Sequence, residues 1–139
     1  MANVKYNLGK ENIMKGLIDL TDTAKVKVKL VTTAYVGTAL VGDSMATVNA
    51  GEISAGGGYS TGGVLLTGNA VDIDGSNNGR FDANNVTWGS STITAGGAVI
   101  WHDDVADTPI CLIDFGGDQS SSNGDFTINW DAAGILTIG

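Results

Sequence analysis

"KVKVKLVTT", residues 25–33, is the stretch on which the fold of this chain turns. Val26, Val28 and Leu30 alternate with Lys25, Lys27 and Lys29, and a period of two puts the apolar side chains on one face of a β-strand and the lysines on the other. The apolar face implies a core. The lysine face implies solvent or an acidic neighbour.

Working outward, short β-rich runs recur down the chain: "MATVNA", "GVLLTG", "NAVDID", "RFDA", "NVTW", "STITA", "GAVIWH", "PICLIDF", "DFTINW" and "ILTI". Gly, Asn, Asp and Ser separate them at a spacing of about 8–12 residues, which predicts an all-β fold, an antiparallel β-sandwich of jelly-roll type. The 21 glycines and single proline agree, since glycine inside a helix or strand costs roughly 0.5–1 kcal/mol against alanine and belongs in turns and bulges. One short N-terminal helix is expected from about Leu8 to a stop at Gly16, with Ile13, Met14 and Leu17 on one side; two turns need a sheet or a partner to dock on. The 139 residues are read as one sandwich domain, with residues 1–24 as a helix or arm packed on it or on a partner. Trp88, Trp101, Phe126 and Trp130 are the expected core anchors.

Charge is unevenly placed. The net charge is −8, yet Lys5, Lys10, Lys15, Lys25, Lys27 and Lys29 all precede residue 30, after which Arg80 stands against twelve acids. Most of such a surface repels phosphate, so a nucleic-acid partner is not expected. The lysines are the candidate contact with another protein or a sister subunit. With no signal-like segment or run of about 18 apolar residues, a membrane location or export by that route is not expected. Cys111, the only cysteine, lies in the apolar run "ICLI" and reads as a core residue. The loops "SAGGGYSTGG" (54–63) and "GGDQSSSNGD" (116–125) read as exposed connections.

Several segments resemble reactive sites. "VIWHDD" holds the only histidine, His102, but a hydrolytic centre needs a nucleophile and an oxyanion donor, and zinc needs three or four ligands; a strand end opening into an acidic loop accounts for the letters. "DFG" at 114–116 comes without the other kinase motifs and reads as a strand ending at a glycine turn. Asp74, Ser76, Asn78, Asp82 and Asn85 fall at positions 1, 3, 5, 9 and 12 of a calcium-loop pattern, with Gly79 at position 6. Position 12 is no glutamate, and a β-turn explains the same residues. Neither a metal nor any other cofactor is expected, and the chain reads as non-enzymatic.

Taken together, "IDLTDTAKVKVKLVTTAY", "GYSTGGVLLTG", "FDANNVTWGSSTITAGGAVIW" and "DFGGDQSSSNGDFTINWDAAGILTIG" resemble small virion structural proteins of tailed bacteriophages, of the head decoration, cement or fibre type. The resemblance follows segment order over nearly the whole chain and departs at Gly96 and Gly97, where bulkier residues are expected at a turn. It implies a role and no catalytic residues. That role is a capsid decoration or cement protein, assembled in the host cytoplasm into the virion, binding the major capsid protein across capsomers as a homo-oligomer, dimer or trimer. A tail, baseplate or fibre component is the alternative; a carbohydrate-binding module with an exposed Trp or Tyr59 as a stacking platform is a second.

Overall fold

The computed structural model describes residues 3–104 and 106–139. The chain is mostly β, with 42% of residues in strands and 15% in helices, and every strand pair is antiparallel. The opening stretch forms β2 (Val26–Val31), which pairs with β7 (Thr94–His102) in the register Val28↔Ile100 and Leu30↔Ala98. On its other edge β7 pairs with β8 (Thr108–Ser120). The outer strands β1 (Val4–Lys5) and β3 (Val64–Leu65) complete a five-stranded sheet in the order β1-β8-β7-β2-β3. Two smaller sheets accompany it. One orders β10 (Leu136–Ile138), β5 (Gly79–Asp82) and β4 (Ala70–Ile73), and the other joins β6 (Val86–Ser91) to β9 (Gly124–Ile128).

Alternation sorts β2 and β7 into two cores. Val26, Val28, Leu30, Ala98 and Ile100 pack with Phe81, Trp88, Phe126 and Leu136 from the smaller sheets. Val31, Val99, Trp101 and Leu112 point the other way and pack with Tyr35, Val36, Met45 and Val48. The large sheet is therefore covered on both faces.

The second cover is helical, which corrects the reading of "MATVNA" as a strand. Those residues form α3 (Met45–Ala50), capped by Ser44, whose Oγ accepts from Thr47 N; α2 (Thr33–Thr38) is capped in the same way by Thr32. Met45 and Val48, three apart, point inward together, as helical spacing allows and strand alternation forbids. The expected N-terminal helix is α1 (Asn7–Met14). It docks through Gly9, where a β-carbon would stand 2.7 Å from Ile110 Cα.

Gly96 and Gly97 are not at a turn. "STITA" and "GAVIWH" share one strand, β7, and the glycines lie inside it where α2 crosses: a β-carbon on Gly96 would run into Thr33 Cα and lie 2.6 Å from Thr33 N. Nor does β8 end at "DFG". It bulges there, with Gly97 opposite Asp114 and Ala95 opposite Gln119, and continues to Ser120. Of the four expected anchors, Trp88, Trp101 and Phe126 are buried, whereas Trp130 sits half-buried at the rim with its Nε1 donating to Asn84 O.

Replacing Gly96 with alanine should lift α2 from β7 and cost about 1–3 kcal/mol. Urea denaturation followed by circular dichroism measures it; an unchanged midpoint would contradict the seating of α2.

Candidate functional site: a buried lysine network and an apolar cleft

His102 ends β7 with its side chain buried, and its Nδ1 lies 4.0 Å from Asp104 Oδ2. Asp103 turns instead to Lys27, 2.7 Å away, and that hydrogen bond lowers the Asp103 carboxyl below the usual carboxylate range. Among the described residues, no three His, Cys, Asp or Glu side chains gather in a way that could hold a metal.

The calcium-pattern residues are spread along the β4–β5 hairpin and beyond. Asp74 Oδ1 accepts from Ser76 N at 2.8 Å and Asn78 N at 3.0 Å, closing the turn, and those bonds lower its carboxyl. Asp82 sits at the far end of β5, its Oδ1 accepting from Ala83 N, and Asn85 bonds Asn129 and Trp130. This is turn chemistry, with the first carboxylate occupied by its own backbone.

The six lysines do not form one surface. Lys5 and Lys10 flank the cleft between α1 and β10, and Lys15 at the end of α1 pairs with Glu11 at 2.5 Å. Lys27 and Lys29 share the sheet face that carries Trp101, and both ammonium groups lie over its ring, at 5.4 and 4.3 Å. Lys29 is withdrawn from any external contact, being only 2% exposed. The sheet face that carries it is roofed by α3, so its "acidic neighbour" lies within the chain.

That neighbour is Glu52, just beyond α3. Lys29 Nζ donates to Asn49 Oδ1 at 2.5 Å and lies 3.6 Å from Glu52 Oε1. Glu52 Oε2 accepts from Tyr59 OH at 2.6 Å and Gly62 N at 2.7 Å, while Tyr59 OH accepts from Leu30 N. Trp101 Nε1 donates to Gly62 O, so the glycine-rich loop is clamped from both sides. Tyr59, 3% exposed, is no stacking platform; it anchors a loop whose residues 54–58, 60 and 61 are exposed, as expected. Asn49 and Glu52 escaped the sequence reading; the Ser44 cap that begins α3 was the signal that could have found them.

Two surfaces remain. An apolar cleft of about 240 Å³ lies between α1 and β10, walled by Ile13, Met14, Ile110 and Ile138 with Lys5 and Lys10 beside it. Val71 and Ile73 share the sheet face of Ile138 through the β4–β5–β10 register and extend the patch; Met14 is 88% exposed and Ile73 69%. A wider groove of about 760 Å³ between β8 and β9 has Phe115, Phe126 and Ile128 in its wall and Asp114, Asp125 and Asp131 around them. Comparison with protein-family models, curated proteins and solved structures found no match.

All three tyrosines, Tyr6, Tyr35 and Tyr59, are buried and hydrogen-bonded to side chains. Burial pushes Tyr6 up to about 12, and burial first, then hydrogen bonds to Tyr6 and Glu52 respectively, push Tyr35 and Tyr59 higher still. Because the folded values are raised, the tyrosines' contribution to stability is fully present below the ordinary value of 10.0 and is lost as pH rises above it. An absorbance titration at alkaline pH should therefore show all three ionising together with unfolding; an early, independent tyrosine step would contradict it.

Proposed function

We propose that this protein is a structural component of a tailed-phage virion, a head decoration or cement protein that attaches across capsomers as a homo-oligomer. The observation that carries the reading is the uneven surface: the apolar cleft beside Lys5 and Lys10 on a chain of net charge −8. A sheet covered on both faces suits a protein whose task is to present a rigid exterior, and the packing of the five-stranded sheet against the smaller ones is consistent with a β-sandwich of jelly-roll type. Exposed Met14, Ile73 and Ile138 are anchors for a partner surface, with the lysines steering acidic neighbours toward it.

One such neighbour is a second copy. The acidic groove around Asp125 and Asp131 complements Lys5 and Lys10, and a head-to-tail contact of that kind closes into a ring when its rotation permits. Repeated weak contacts then gain avidity of about 10²–10⁴ over a single one. The remaining acidic surface keeps coated particles apart.

The test pairs location with surface. Labelling of purified virions should show hundreds of copies over the head; a few copies at one vertex would indicate a tail component instead. Lys10→Glu with Met14→Asp, both exposed on α1, should leave the chain folded and reduce its occupancy on heads at least about tenfold, the loss of roughly 1.4 kcal/mol. Undiminished occupancy would remove the cleft from the interface.

A further inference from the structure

The network around Lys29 contains more than an ion pair needs. A primary amine, a carboxamide and a carboxylate from three different elements converge under an aromatic ring: Lys29 on β2, Asn49 on α3 and Glu52 beyond it, with Trp101 of β7 above the amine. Both charged side chains are almost wholly buried, Lys29 at 3% and Glu52 at 6% side-chain exposure. Asn49 is exposed as a residue and stands at the mouth of the site. Nζ lies 2.5 Å from Oδ1, which leaves Cγ, one C=O bond of about 1.23 Å further, no more than about 3.7 Å from the amine.

We propose that Lys29 and Asn49 become joined after folding by an isopeptide bond between Nζ and Cγ, with Glu52 as the acid–base group and ammonia as the leaving group. The reaction starts from the Lys29 ammonium and the Glu52 carboxylate. A proton passes from Nζ to Glu52 Oε1, leaving a neutral amine whose lone pair attacks Cγ. Glu52 then relays protons between the attacking nitrogen, the carbonyl oxygen and the departing Nδ2; the Cγ–Nδ2 bond breaks as the carbonyl re-forms. Of the three ammonium protons, one remains on the new amide nitrogen, one leaves in ammonia and one ends on Glu52, so atoms and charge balance without any co-reactant.

The surroundings favour each step. Burial holds the Lys29 ammonium below the ordinary lysine range, although Glu52 opposes that shift, and so favours the nucleophilic form. Tyr59 OH and Gly62 N bind Glu52 Oε2 and fix the carboxylate with Oε1 toward the amine. The exposure of Asn49 gives ammonia a path to water. The product exchanges two buried charges for neutral groups, which removes the cost of keeping an ion pair out of water.

Intact-mass spectrometry of the full chain tests the proposal. The purified protein should weigh about 17 Da less than its sequence, the mass of one ammonia. Trypsin should fail to cut at Lys29 and should yield a peptide carrying Lys29 and Asn49 together. Asn49→Ala, at an exposed position, should fold and restore both the full mass and the cleavage. Glu52→Gln keeps an acceptor for Tyr59 and Gly62 but cannot relay protons, and should be recovered at its full mass. A wild-type chain of full mass that is cut at Lys29 overturns the proposal. So does a deficit that persists in Lys29→Met, because a cyclic imide at Asn49 would lose ammonia without the lysine. A Glu52→Gln chain that cross-links as completely as the wild type overturns the role of Glu52.

Discussion

Strand β7 is the constraint from which the remainder of the molecule follows. It pairs with β2 on one edge and β8 on the other, and residues 95–102 are buried on both faces. A strand in that position must satisfy its backbone sideways and offer a shaped surface above and below. Its sequence does so: Ala98 and Ile100 serve the core shared with the smaller sheets, Val99 and Trp101 the core under the helices, and Gly96 and Gly97 admit α2 at close range. Each neighbouring element is placed by what this strand leaves open.

Trp101 shows how this placement becomes electrostatics. Its ring receives Lys27 and Lys29, its Nε1 holds Gly62, and its neighbours α3 and the glycine-rich loop bring Asn49 and Glu52 over the amine. A buried ammonium would be costly alone; here it has a carboxylate, an amide oxygen and an aromatic face. Removing Glu52 outright would leave the charge uncompensated, which is why the network is more informative about geometry than about net stability.

The parts of this design that were legible in the sequence are those written in local alternation. The split of Val26, Val28 and Leu30 from the lysines, and of Val99 and Trp101 from Ala98 and Ile100, emerges in the structure as the division between the two cores. The helices α2 and α3 were not legible. Six residues hold too little periodicity to outweigh a β-like composition, and in a chain rich in Ser and Thr the Thr32 and Ser44 caps do not stand out. Without α3 the sequence leaves the lysine face open between solvent and an acidic neighbour, and the grouping of Lys29, Asn49 and Glu52 is invisible because it depends on the crossing of a helix over a strand and on the return of a loop. The charge asymmetry was visible, but not its division between the α1 cleft and the sheet face: Lys5 is opposite Cys111 in register and Lys27 opposite Trp101, and those partners belong to different cores.

The proposed cross-link ties a short helix to the central sheet. A six-residue helix has almost no independent stability, and α3 is held to the sheet by Met45, Val48 and the Asn49–Lys29 contact, with Thr32 N donating to Gly51 O and Ile53 N to Leu30 O just past its end. Local opening would therefore begin with α3 and expose Trp101 and Val99. A covalent tie from α3 to the central sheet closes a loop of about twenty residues, worth on the order of 3 kcal/mol if it acts on the unfolded chain as a disulfide does. It also prevents α3 from leaving while β2 stays paired. In the role proposed above, on the outside of a particle where a chain cannot be replaced or refolded, removing the earliest opening step gains more than deepening a core that is already closed.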